Sequence, residues 1–384
     1  MGDGGRAQRG RVRAAAPSPM SFLLLSFSFH FVITFEHKDP NMPKTRIGII
    51  GAGGIFRSRH FPGLAKIDNA EVVAICNRSE ESGRKIAYEF GLSPDLVTDP
   101  DALLARDDID AVMIGTWPYK HCPFVLASLE AGKHTFVQAR MAMNLAEAKQ
   151  MYSRGEETGL VTQICPAPPW KAGRFLRRLI DEGYCGDIYN VYVQDIGGGL
   201  VDKDSPLHWR MIDRYSGLNA LGMGIAMERV HRVLGYFSSI TARTETFTRE
   251  RPLADGGGSG LVERPETVHI LGRMKNGAEG AFLFTSMARF GDGSRLEIYG
   301  SEGTLIYDMG SKVMGGKAGD GKLSELTIPA DEIAEWTVEQ DFVNAINGGP
   351  QGDTSFYEGV RYMELTEAIA RSMELGQTIQ LPLS

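Results

Sequence analysis

Residues 45–63 read TRIGIIGAGGIFRSRHFPG, and the fold follows from that stretch. Ile47, Ile49 and Ile50 form a short β-branched apolar run of the kind that fills a strand buried on both faces. Gly51, Ala52, Gly53 and Gly54 follow as a turn, and Ile55 and Phe56 lead into a helix predicted over about 53–66. A strand that feeds a glycine turn and then a helix N-terminus is a nucleotide-phosphate site. The glycines let the backbone approach a pyrophosphate, and the free N–H groups of the first helical turn point at it. The third glycine position of the G-x-G-x-x-G pattern holds Phe56. That substitution puts tight helix-to-strand packing in question and leaves the two glycines nearest the phosphates in place.

Outward from this stretch, strand and helix alternate. Strands are predicted over 71–76, 110–115, 135–137 and 160–165, with helices over about 80–90, 121–131 and 144–157 between them. Asn144, followed three residues on by Glu147, caps the last of these. Strands spaced by helices of this length build a parallel, doubly wound sheet. The texture changes after the proline-rich 166–169. A helix over 171–182 leads to a long alternating strand over 187–196, then a polar and aromatic loop over 202–215 and a helix over about 219–234. Strands are predicted over 239–248, 266–275, 279–289, 295–299, 304–307 and 323–328, with Asn276-Gly277 as a hairpin turn. Consecutive hairpin-joined strands make an antiparallel sheet. Helices over about 333–347 and 356–375 end the chain.

The expected fold class is therefore α/β: an N-terminal Rossmann doubly wound parallel sheet and a C-terminal α/β domain with an open, mostly antiparallel sheet. The expected divisions are a leader at 1–43, a dinucleotide-binding domain at 44–166, and a substrate and oligomerisation domain at 167–384 whose last helix packs back on the first domain.

The 384 residues carry a net charge of −7 with no basic run in the folded part, so a nucleic-acid role has no electrostatic footprint. Cys76, Cys122, Cys165 and Cys185 lie far apart without a Cys-x-x-Cys pair, which suggests neither a zinc site nor a disulfide framework; no metal is expected. Four arginines before the apolar run 20–35 resemble a signal peptide, but no small-residue cleavage site follows. The run is short for a membrane span and is broken by His30. Residues 1–41 read as a dispensable leader before a natural start at Met42. A cytoplasmic protein without a membrane partner is expected, with export left open.

Cofactor choice is read at the end of the second strand, Asn77-Arg78-Ser79. An acidic residue there would hold the ribose hydroxyls and repel a 2′-phosphate. A neutral residue followed by arginine accepts that phosphate, so NADP is expected in preference to NAD. Thr116, Trp117 and Pro118 are expected along the dinucleotide, with His121 near by.

The ordered set of stretches 47–62, 72–78, 130–134, 144–148, 298–305 and 357–362 resembles the Gfo/Idh/MocA family of oxidoreductases. The resemblance implies a sugar or polyol-like carbinol as substrate, a nicotinamide cofactor, and homo-oligomer contacts through the open sheet. It also exposes a departure. Members carry Glu-Lys-Pro after the fifth strand, where this chain has Gln138-Ala139-Arg140. Members carry an Asp and a His four residues apart at the start of the long helix, where this chain has Gly222 and Ala226. Ala139 cannot move a proton, so the resemblance implies a rebuilt site. Gln138 and Ala139 are expected beside the cofactor, Arg140 and His208 are the candidates for the chemistry, and Trp170, Lys171, Trp209, Arg210 and Asn219 are the candidates for substrate contact. A Trp face and Arg donors suit a sugar or a carboxylated sugar. The other candidates are Arg214, Glu228 and His231, each with a plainer reading as surface charge, helical ion pair or buried ring. The alternatives to a dehydrogenase are a dinucleotide-binding regulator or scaffold, favoured by the missing polar groups, and a redox-assisted glycoside-cleaving enzyme.

Overall fold

The computed structural model describes residues 44–384 apart from 311, 353 and 384, so the expectations for the leader lie outside the described residues. Six strands form the first sheet: β1 (Thr45–Ile50), β2 (Ala70–Cys76), β3 (Asp95–Val97), β4 (Ala111–Ile114), β5 (His134–Val137) and β6 (Thr162–Ile164). Their order is β3-β2-β1-β4-β5-β6 and every pairing is parallel. All four residues of β4 are buried, as expected of a strand covered on both faces. The edge strand β3 was not anticipated, because Asp95-Leu96-Val97 is too short to show a period. Side-chain caps start two flanking helices: Ser79 accepts from the Ser82 amide (3.3 Å) ahead of Glu80–Glu89, and Asn144 accepts from the Glu147 amide (3.0 Å) ahead of Leu145–Thr158.

The helix after the glycine turn is not regular. Phe56–His60 is a π-helical turn that passes into Phe61–Leu64. This wider turn leaves Phe56, His60 and Phe61 all buried.

The second sheet has nine strands: β7 (Ile188–Ile196), β8 (Phe237–Glu245), and, beyond a separate two-stranded hairpin of β9 (Glu250–Pro252) and β10 (Ser259–Leu261), β11 (Thr267–Met274), β12 (Glu279–Thr285), β13 (Gly293–Gly300), β14 (Gly303–Tyr307), β15 (Val313–Lys317), β16 (Ser324–Leu326) and β17 (Ile379–Gln380). The order is β16-β15-β14-β13-β7-β12-β11-β8-β17. β7 and β12 run parallel and the other pairs antiparallel. Strand β11 alternates buried and exposed residues, the mark of one covered face. The helices Gly173–Asp181, Met223–Leu234 and Phe356–Leu375 supply the core residues on that face. On the other face Tyr192 meets Tyr299 edge-on at 5.9 Å, and Leu271 is exposed. Strand β15 escaped sequence reading because it contains Gly315-Gly316. A Cβ on Gly315 would stand 2.5 Å from Leu326 and 2.6 Å from the Tyr184 hydroxyl, so close packing rather than propensity puts glycine there.

Two C-terminal helices return to the first sheet. Val338–Ile346 brings Phe342 to within 5.7 Å of Phe136, and Phe356–Leu375 packs on Leu145–Thr158 through Tyr357 and Tyr152 at 6.0 Å.

Candidate functional site

A cleft of about 480 Å³ opens at the carboxyl ends of β1, β2 and β4, where a doubly wound sheet binds its ligand. Gly51, Gly53, Asn77, Arg78, Thr116 and Trp117 line it, as expected from the sequence. The cradle fits a dinucleotide. Gly51 has φ +84°, and a Cβ there would press on the Thr116 methyl at 2.7 Å and its amide at 3.0 Å. A Cβ on Gly54 would meet nothing, so that glycine leaves open space at the helix start. The Asn77 amide group donates to the Ala52 carbonyl (3.3 Å) and ties the turn to β2. Arg78 makes no ion pair among the described residues and lies on the cleft wall. Thr98, Tyr119, Lys120 and Phe124 also line the cleft. They escaped notice because single residues after β3 and β4 carry no motif. Phe56 is fully buried rather than at the wall, Ile55 is exposed beside the turn, and Pro118 is buried at the start of the 3₁₀ turn Pro118–Lys120.

Four expected contacts with cofactor or substrate are corrected by burial. His121 is fully buried, its Nδ1 at 2.9 Å from the Arg140 carbonyl and 3.1 Å from the Met141 carbonyl, its Nε2 at 3.0 Å from the Thr116 carbonyl. It laces the ends of β4 and β5 together, and burial pushes its pKa down despite those carbonyls. Gln138 is turned away too. Its Nε2 donates to His60 Nε2 (2.8 Å) and its Oε1 accepts from the Ala139 amide (2.8 Å). His60 in turn donates from Nδ1 to buried Glu339 (2.5 Å), which also accepts from the Trp336 indole. Trp170 is 5 % exposed and packs edge-on against Tyr307 at 6.1 Å in the core of the second domain. Asn219 is buried, its amide group donating to the carbonyls of Ala142 (2.9 Å) and Ser216 (2.7 Å). The polar groups of His121, Gln138 and Asn219 that donate here are claimed by the fold, because a buried donor without a partner is costly, whereas the buried Trp170 indole N–H finds none. Lys171 is a further correction, being exposed and lining neither the cleft nor the cavity described next. Ala139 is half-buried, and the Ala139–Arg140 peptide is cis.

The loop over 202–215 meets the cleft through aromatic rings. Trp209 stacks on Trp117 (5.0 Å, 13°), Tyr215 stands edge-on to Trp117 at 5.1 Å, and Arg210 lies over Trp209 at 4.4 Å. His208 caps the turn Trp209–Met211, its Nδ1 accepting from the Arg210 amide (3.2 Å). His208 and Arg210 line a second cavity of about 360 Å³ with Leu221, Arg264, Glu266 and Ser286. Arg140 reaches the backbone behind this cavity, at Leu221, from the first domain. It is 5 % exposed, donates to the Leu221 carbonyl, and leaves its Nε without a partner. Burial, and next the charge of Arg210, push its pKa down to about 10. Burial also lowers His208, with the Arg210 charge adding to it, and lowers Arg210 itself.

Buried Arg251 anchors this loop. Its guanidinium donates to the Leu200 (2.5 Å) and Asp202 (2.7 Å) carbonyls and to Glu266 (2.9 Å), whose other oxygen accepts from the amides of Phe247 and Thr248 (2.9 Å each). Glu228 bonds Arg232 as its spacing predicts, but it is buried and also accepts from the Ala167 amide (2.7 Å). His231 is a buried ring against Tyr236 and Phe237, with neither nitrogen bonded. Arg214 lies over Tyr215 at 4.6 Å.

One carboxylate was missed. Asp195, at the end of β7, is exposed, accepts from the Ser294 hydroxyl (2.8 Å), and holds its Oδ2 3.8 Å from where a Cβ of Gly222 would be. A strand residue thus reaches the space beside the start of the long helix. Its partner strand, not its neighbours in the chain, makes that visible.

Residues 45–165 match the model described as the oxidoreductase family, NAD-binding Rossmann fold, and residues 174–306 match that of the GFO/IDH/MocA C-terminal domain. The levoglucosan dehydrogenase of Pseudarthrobacter phenanthrenivorans is 26% identical over 89% of this chain and 99% of its own. The D-apiose dehydrogenase of Paraburkholderia graminis is 24% identical over 87% of this chain and 88% of its own. A solved structure of levoglucosan dehydrogenase in complex with NADH and levoglucosan superimposes with a TM-score of 0.78 at 22% identity, covering 88% of this chain and 100% of that one. Both halves of the chain, in order, thus carry one family's domains: the chain belongs to the GFO/IDH/MocA family of nicotinamide-dependent oxidoreductases.

Proposed function

We propose that the chain transfers a hydride between NADP and a carbinol of a sugar or polyol, working as a homo-oligomer through the open face of its second sheet. The observation that carries this reading is the glycine cradle at the strand ends, with Arg78 unpaired on its wall. The dehydrogenases named above act on sugar-like substrates, and that supports the substrate class.

A bound nicotinamide supplies the hydride acceptor, so the protein must take the hydroxyl proton. His208 is poorly placed for this. Its Nδ1 is held by an amide, so the neutral ring carries its hydrogen on Nε2. Arg140 stays cationic at neutral pH and serves to orient an oxygen rather than to accept a proton. Asp195 is the proposed proton acceptor, because its carboxylate stands beside the start of the helix Met223–Leu234.

The test is to load the full chain with NADP⁺ or NAD⁺, add sugars, sugar acids and cyclitols, and follow reduced nicotinamide absorbance. Turnover faster with NADP⁺ is expected. Tight cofactor binding without redox change in either direction would overturn the reading. It would favour a dinucleotide sensor, which the inert side chain of Ala139 supports.

A further inference from the structure

Arg140 and Arg210 come from different domains and approach one cavity without a counter-ion, Arg210 on its wall and Arg140 behind it at Leu221. Arg140 donates to the carbonyl of Leu221, and Leu221 and Arg210 line the same cavity of about 360 Å³. Neither guanidinium pairs with a carboxylate among the described residues, and the buried Nε of Arg140 has no partner at all. The acidic groups around them are committed elsewhere. Glu266 holds Arg251 and two backbone amides, Asp213 holds Arg264, and Glu228 holds Arg232 and the Ala167 amide. A cation withdrawn from water without compensation is unfavourable, and two near each other are more so. The charge of Arg210 is felt at Arg140 and at His208. Arg210 is also held flat on Trp209, which fixes the direction of its fork.

We infer that the cavity lined by Arg210, with Arg140 behind its Leu221 wall, is the seat of an oxyanion carried by the substrate, so that the sugar-like molecule oxidised here is an acid or a phosphate ester rather than a neutral sugar. A planar carboxylate or a phosphoryl group suits the bidentate geometry of arginine, and Trp209, stacked between Trp117 and Arg210, holds the Arg210 fork in place for it. The inference rests on the oxidoreductase reading for the word substrate, but the seat itself does not need turnover.

The experiment compares D-glucuronate, D-glucose 6-phosphate and D-glucose with the full chain in two readouts: the shift in melting temperature without cofactor, and the rate of NADP⁺ reduction. Glucuronate or glucose 6-phosphate should raise the melting temperature saturably where glucose does not, and which of the two does so separates carboxylate from phosphoryl recognition. Arg210→Met, which keeps a long side chain over Trp209, should cut the preference for the anionic sugar over glucose by about tenfold or more, the scale of a lost charge-assisted pair. An Arg210-dependent thermal shift without any redox change would sustain the seat and sink the dehydrogenase reading. Turnover of glucose as efficient as that of glucuronate and glucose 6-phosphate, or a thermal response that survives Arg210→Met unaltered, would overturn the seat and leave the dehydrogenase reading standing.

Discussion

The ring of Phe56 lies directly over Gly115. Phe56 occupies the third position of the glycine pattern and is fully buried, and a Cβ on Gly115 would stand 2.7 Å from Phe56 Cδ2 and 2.7 Å from the Gly51 carbonyl. Tight helix-to-strand contact is kept, with the glycine moved from the helix to the end of β4. The backbone carbonyl cannot yield, so Gly115→Ala is expected to destabilise the fold by about 1–3 kcal/mol. It should also weaken dinucleotide binding. A melting curve and a cofactor titration check both, and an unchanged variant would refute the assignment.

Arg78→Ala should weaken NADP binding far more than NAD binding, because only the former carries the 2′-phosphate that Arg78 would pair with. Isothermal titration of the two cofactors tests this. Equal losses would show that Arg78 reads nothing.

The Arg251–Glu266 pair is buried on both sides, at 0% and 1% exposure. Glu266→Ala strands the guanidinium and two amides, and is expected to cost about 3–5 kcal/mol. Proteolysis should first cut within 199–206, the segment whose Leu200 and Asp202 carbonyls Arg251 holds. Cleavage elsewhere first would argue against that anchoring role.

His231 sets an acid sensitivity. Burial, aided by Arg361, pushes its pKa down to about 3 from the ordinary 6.5. The unfolded chain binds this proton first, so stability is full above about pH 6.5 and declines as pH falls from there towards 3. Between pH 7 and pH 5 the loss from this residue is roughly 2 kcal/mol. Urea unfolding of His231→Phe across that range should show a shallower decline than the parent chain. Parallel curves would refute the assignment.

If Asp195 accepts the proton, Asp195→Asn should lower kcat by about 10²–10⁴-fold, with binding of cofactor unchanged. Asp195→Glu should recover part of the rate with a displaced pH profile. A loss in KM alone would make Asp195 a binding group instead.

The glycine turn, the strand–helix alternation and the Asn276-Gly277 hairpin depend on interactions within a few residues, and periodicity or turn chemistry displays them. For that reason most strands of both sheets and the glycine turn, Asn77, Arg78, Thr116 and Trp117 of the cleft could be read from the chain alone, while the short strand β3, the glycine-bearing β15 and the isolated wall residues Thr98, Tyr119, Lys120 and Phe124 could not. The fate of each polar side chain could not. Gln138, His121, Asn219 and Trp170 stand where a motif suggests ligand contact, yet partners far along the chain, or burial in the core, claim them. Gln138 depends on His60, and His60 on Glu339, 279 positions away. Asp195 and the approach of Arg140 to the cavity that Arg210 lines became visible only once separate elements were brought together. Local sequence sets backbone form, because that form is decided over a turn of chain. Which charged groups end unpaired is decided by desolvation and long-range pairing, and only the folded chain resolves that competition.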